Sequence, residues 1–143
     1  MDKKVKIGYT QGVFDMFHIG HLNLLNNAKA RCDYLIVGVN SDCLVQSYKN
    51  KVPVVCQEFR KVIVENIKAV DEVHIVDTLD KVEILKKIPF DAIFIGDDWK
   101  GNQRWSDTQE RLKEHGAEVI FLPYTQNISS TLLRNVKDEK VEE

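Results

Sequence analysis

The sequence predicts a doubly wound α/β layer built on a mainly parallel, five-stranded sheet. Two observations carry that prediction. Five short apolar runs rich in β-formers alternate with stretches of helical period over short connections, and runs such as YLIVGV at residues 34–39 are continuously apolar, as strands covered on both faces must be. Sheets of this kind bind ligands beyond the carboxyl ends of their strands, so the loops there are where chemistry is expected.

In chain order, residues 5–10 (VKIGYT) read as the first strand, and residues 22–30 (LNLLNNAKA) as a helix with Leu22, Leu25 and Ala28 at helical spacing. The second strand, 34–39, ends on the turn-formers Asn40, Ser41 and Asp42. Residues 43–57, with Lys49, Lys51 and Pro53, are expected to form an irregular, mobile loop. Residues 58–69 read as a helix that sets Phe59, Val62, Ile63, Asn66 and Ile67 on one face and Arg60 on another. A strand at 72–76, a helix at 79–88 and a strand at 91–96 follow. Ser106 with Gln109 has the spacing of a capping box, and His115-Gly116 has the composition of a helix end, which bounds a helix at 106–115. Residues 118–122 make the last strand, Pro123 breaks it, and residues 129–136 read as a short helix. One domain over 1–136 is expected, with a charged tail, 137–143, that frays.

The totals narrow the function. The 143 residues are 43% hydrophobic and 29% charged, ordinary values for a globular protein. A chain of that length buries roughly 68–70% of the surface it exposes when unfolded. There is no apolar stretch long enough to span a bilayer and no apolar segment of signal-peptide type before the first strand, so the expected location is the cytoplasm, with no membrane partner. With 20 Lys and Arg against 22 Asp and Glu, the electrostatic footprint of a nucleic-acid binder is absent. Cys32, Cys43 and Cys56 are odd in number and form no Cys-x-x-Cys pair, so they are expected to be reduced and mostly buried rather than bridged or zinc-bound.

The chemistry is expected at residues 12–21, GVFDMFHIGH, between the first strand and the first helix. His18 and His21 fall where a helical turn begins, so two imidazoles and several backbone N–H groups can converge on one anion. Gly20 lets a phosphate approach the backbone where a Cβ would block it. Lys49 and Lys51 are flexible cations able to close over phosphates. Ser129, Ser130 and Thr131 start the last helix and make a second anion site. His74, within a strand, and His115, at a helix end, are assigned to structure.

GVFDMFHIGH resembles the His-x-Gly-His signature of the nucleotidyltransferase superfamily, and the chain is similar to its small cytidylyltransferases, above all those acting on glycerol phosphate. Arg60 ahead of VDEV (70–73), IGDDW (95–99) and YTQNISST (124–131) continue the likeness in order over some nine-tenths of the chain. Tyr124, Lys68 and Leu79 stand where that family has two arginines and a tryptophan.

The resemblance implies a Rossmann-like nucleotidyltransferase fold and transfer of CMP from CTP to a phosphorylated alcohol. It makes His18, His21 and Lys51 the catalytic residues, and the nearby triphosphate would favour the imidazolium form of the histidines. Nucleotide contacts are implied for Val13, Phe14, Asp15, Gly20, Arg60, Asp97, Thr125, Ile128, Ser129, Ser130 and Thr131. Acceptor contacts are implied for Lys49, Asp98 and Trp99. Mg²⁺ is expected with CTP, held mainly by phosphate oxygens and without a protein metal site. A homodimer is also implied. Three functions stay open on these residues: the cytidylyltransferase, with glycerol 3-phosphate as leading acceptor; an adenylyltransferase acting on a sugar or other small phosphate; and a catalytically silent nucleotide-binding module.

Overall fold

The computed structural model describes residues 4–97 and 101–123. Its strands are β1 (Val5–Gly12), β2 (Cys32–Asn40), β3 (Glu72–Val76), β4 (Ala92–Gly96) and β5 (Glu118–Leu122). They form one sheet in the order β3-β2-β1-β4-β5, and every neighbouring pair is parallel. The chain therefore starts in the middle, builds outward to β3, then crosses to the other half. All carboxyl ends lie along one edge, which is what places the loops after β1 and β2 side by side.

The helices are α1 (Ile19–Lys29), α2 (Asp42–Lys49), α3 (Gln57–Glu65), α4 (Lys81–Lys87) and α5 (Gln103–Glu114). Leu25 and Ala28 of α1 and Val64 of α3 pack with Leu35, Val37 and Phe94 on one face of the sheet. Val82 and Ile84 of α4 and Leu112 of α5 pack with Tyr9, Ile36 and Ile93 on the other. Two central glycines let large rings cross the sheet. A Cβ at Gly38 would overlap the Tyr9 hydroxyl, and one at Gly8 would overlap the Phe94 ring.

β3 and β5 have the expected bounds, while β1 runs two residues further and brings Gln11 and Gly12 into register with Gly38 and Val39. Four expectations need correction. Residues 43–57 are not one irregular loop, because α2 occupies their first half. Ser41 caps it by accepting from Leu44 N, Leu44 and Val45 bury its inner side, and Asn50 ends it in the left-handed region at φ 56°. The start of α5 lies earlier than expected, since Asn102 caps Arg104 and Trp105; Ser106 is an interior residue whose hydroxyl donates to Asn102 O. Gly116, at φ +83°, follows the helix end as its composition requires.

The third correction concerns α3, which ends at Asn66. Its inward residues are Arg60 and Val64, both wholly buried, while Phe59, Val62 and Ile63 are 66%, 53% and 41% exposed. The apolar stripe thus faces outward. Cys32 is buried as expected, but Cys43 and Cys56 are exposed. The readings at residues 98–100 and 124–143, the last helix among them, lie outside the described residues.

Candidate active site

The loop after β1 is built around two residues in an uncommon backbone conformation. Phe14 and Met16 have φ of 54° and 49°, the left-handed region that non-glycine residues seldom enter. Such conformations persist where the surroundings determine them. Here Phe14 is buried in the core, the Asp15 carboxylate between the two accepts from Val54 N and Val55 N, and Val13 O accepts from Arg60.

The loop delivers His18 to the N-cap of α1. His18 Nδ1 accepts from Gly20 N at 3.0 Å, and His18 N donates to His21 Nδ1 at 3.2 Å, a reciprocal cap made by imidazoles. The rings stack at 3.9 Å between centroids, and His21 also packs against Phe14 and Phe17. Because each Nδ1 accepts from a backbone N–H, each neutral ring carries its proton on Nε2. Burial lowers the pKa of both, and pushes His21 to about 4 against a smaller opposing effect of Asp15. At neutral pH the pair is thus neutral in the protein alone, rather than imidazolium, with its ring N–H groups on Nε2. His18 Nε2 is shielded from solvent without a hydrogen-bond partner among the described residues. The Gly20 amide donates to His18 Nδ1, so it is not one of the helix-start N–H groups left to meet an anion.

Val13, Phe14, Asp15 and His21 line a cleft of about 310 Å³ together with Lys49, Lys51 and the apolar Leu24, Val45, Val52 and Pro53. Lys49 is the last residue of α2 and its ammonium lies 5.9 Å from the Tyr48 ring centroid. The cleft therefore brings His21 together with the two predicted lysines, while His18 is not among its lining residues and reaches it only through the ring it stacks on His21. Arg60 is near but does not enter the cleft, and its four hydrogen bonds all go to the protein interior: Val55 O, Val13 O, Asn40 O and Asp42. Asp97 follows β4 as an exposed residue and does not line the cleft. Asp98, Trp99, Thr125, Ile128, Ser129, Ser130 and Thr131 lie outside the described residues.

Sequence reasoning missed the polar floor. Gln11 lines the cleft, accepts from Tyr9 Oη, and donates to Asn40 Oδ1 and Thr78 O, while Asn40 donates to Tyr48 Oη. The signal was available in part, since both residues sit at strand carboxyl ends. His74 stands beside Glu72 in β3, and the His115 ring packs on Arg111 O at the end of α5, away from the cleft. Among the described residues no cluster of His, Cys, Asp and Glu could hold a metal ion, and no helix is long and apolar enough to cross a membrane.

A cleft lined by a neutral imidazole held at a helix start and by two lysines, beyond parallel strands, suits a polyphosphate. Comparison with known proteins decides the family, because the cytidylyltransferase-like model matches residues 9–136. The chain belongs to the cytidylyltransferase-like family. It is a nucleotidyltransferase by that membership. It is 41% identical over 126 residues to a glycerol-3-phosphate cytidylyltransferase of Bacillus spizizenii, covering 87% of this chain and 92% of that one. It is also 39% identical over 128 residues to an FAD synthase of Thermococcus onnurineus, covering 85% and 81%. The crystal structure of a lipopolysaccharide core biosynthesis protein from Thermoplasma volcanium shares the fold, with a TM-score of 0.71 at 24% identity over 84% of this chain and 96% of that one.

Proposed function

We propose that this chain is a cytoplasmic cytidylyltransferase that moves CMP from CTP to a small phosphorylated alcohol, glycerol 3-phosphate first, giving a CDP-alcohol and pyrophosphate. The observation that carries the reading is the stacked histidine pair, oriented by backbone amides, of which His21 lines a cleft shared with Lys49 and Lys51. The likeness to the Bacillus enzyme supports the nucleotide and the acceptor.

The acceptor phosphate is an anion at neutral pH and attacks the α-phosphorus in line with the departing group. A new P–O bond forms as the bridge to the β-phosphorus breaks, and the electron pair leaves on pyrophosphate. No side-chain nucleophile is required, so catalysis reduces to positioning and to stabilising charge on the α- and β-phosphate oxygens. His18 and His21 donate to those oxygens, Lys51 holds the nucleotide and Lys49 the acceptor. The family resemblance supports further phosphate contacts from Thr125, Ile128, Ser129, Ser130 and Thr131 and acceptor contacts from Asp98 and Trp99, all outside the described residues. Mg²⁺, when bound, neutralises phosphate charge. It would be held mainly by the phosphate oxygens of the nucleotide, since among the described residues no cluster of His, Cys, Asp and Glu could hold a metal ion.

The working unit is a homodimer joined through the outward stripe of α3. Phe59, Val62 and Ile63 form an exposed apolar face beside a groove edged by Glu58, Lys61 and Glu65, where a second copy related by a two-fold axis can pair like patches with opposite charges at the rim.

A second reading, adenylyl transfer to a flavin or sugar phosphate, is favoured by the likeness to the FAD synthase. Pyrophosphate release with CTP or ATP and Mg²⁺, over a panel of glycerol 3-phosphate, phosphoethanolamine, sugar phosphates and flavin phosphate, separates them. Release with CTP and glycerol 3-phosphate is expected. Release with ATP alone would replace this reading by the second. Tight CTP binding without release from any acceptor would leave a silent nucleotide-binding module.

A further inference from the structure

A charged side chain with no exposed surface needs a reason to be there, and Arg60 is wholly buried. Its guanidinium joins three segments. Nη1 donates to Val13 O in the loop after β1 and to Asn40 O at the end of β2, at 2.8 and 2.7 Å. Nη2 pairs with Asp42 Oδ1 in the first turn of α2, at 2.6 Å, and Nε donates to Val55 O at 2.8 Å. Two residues beyond Val13, Asp15 accepts from Val54 N at 2.8 Å and from Val55 N at 2.9 Å. Val55 is therefore gripped on both sides, by its N–H and by its carbonyl, and the circuit Arg60, Val13, Asp15, Val55 closes on itself.

The geometry points to a role for Arg60 that rests on the site reading above: it is a positioning residue, the centre of an internal clasp that sets the lysine segment against the histidine loop, rather than a ligand of the nucleotide. Lys49 and Lys51 lie on the stretch between the two anchored points, Asp42 at the start of α2 and Val54-Val55 ahead of α3. The other arm holds Val13 and Asp15, on either side of Phe14 and next to Met16, the two residues in the left-handed region. The clasp thus fixes the backbone that carries the ammonium groups and the backbone that leads to His18 with one planar fork. Lysine could supply the charge there but not four diverging donors.

The test is amide hydrogen exchange at Val54 and Val55 in the full chain, with steady-state kinetics on the same samples. In Arg60→Lys, exchange at both amides should accelerate about tenfold or more, the scale of losing one buried hydrogen bond, while the amides of Tyr9 and Thr10 inside β1 keep their protection. The nucleotide KM should rise by a similar factor, because the lysines are no longer held at their stations; loss of folded protein alone would lower apparent kcat and leave KM in place. Asp42→Asn, which keeps the arginine and removes its charged partner, should give the same pattern and serves if Arg60→Lys does not fold. Unchanged exchange at Val54 and Val55 in either folded variant, with only nucleotide affinity altered, would make Arg60 a ligand and overturn the clasp. Accelerated exchange in a protein that turns over no nucleotide would uphold the clasp and overturn the cytidylyltransferase reading instead.

Discussion

Backbone amides decide which nitrogen of each of the two site histidines carries the proton. Gly20 N–H points at Nδ1 of His18 and His18 N–H at Nδ1 of His21, so protonating either Nδ1 would set two hydrogens against each other and open the cap. The consequence is a pH dependence of stability. His21 titrates near 4 in the folded chain against an ordinary value of 6.5, so between these the unfolded state binds the proton and the folded state does not. Stability is full above 6.5 and declines as pH falls toward 4, by about 2 kcal/mol once partial exposure is allowed for. Urea midpoints over that interval should show the decline, and His21→Asn should flatten it; equal slopes in both proteins would contradict the assignment. The histidines and lysines of the site were legible because their types and spacing already name an anion. Arg60, Gln11 and Asn40 were not, since their roles depend on which carbonyls and amides meet them across the sheet.

At the scale of elements, apolar period together with the cap signals of α5 found nine of the ten helices and strands among the described residues and missed α2. That helix is short and mostly polar, with Leu44, Val45 and Tyr48 as its apolar positions, and its cap, Ser41, has the composition of a turn. The same ambiguity displaced the start of α5, where Asn102 and Ser106 both have capping side chains. Asn102→Ala should therefore cost about 1 kcal/mol and Ser106→Ala only a few tenths, by urea titration; the reverse order would restore the later start. Gly38→Ala tests the crossing of Tyr9 beneath β2. Added volume there should destabilise by about 1–3 kcal/mol, and a neutral result would mean that Tyr9 is not fixed as described.

For the whole molecule, the alternation of continuously apolar runs with helical segments was enough to foresee a parallel, doubly wound sheet, because few other layers bury both faces of a strand. The orientation of α3 was beyond that reasoning. An apolar stripe normally turns inward, and here Arg60 takes the inner side because four acceptors await it. The stripe left outside is the proposed dimer surface, so Val62→Asp should convert a dimer to a monomer in sedimentation at micromolar concentration with little loss of helix content. A wild-type chain that sediments as a monomer under those conditions would remove the dimer. The central claim is that nucleotidyl transfer runs on the histidine pair beside the lysines, and kcat of His18→Ala with saturating CTP, Mg²⁺ and glycerol 3-phosphate tests it most directly. Loss of a donor that acts on charge developing in the transition state predicts a fall of ~10²–10³. An unchanged kcat would take His18 out of the mechanism and contradict transfer by the histidine pair.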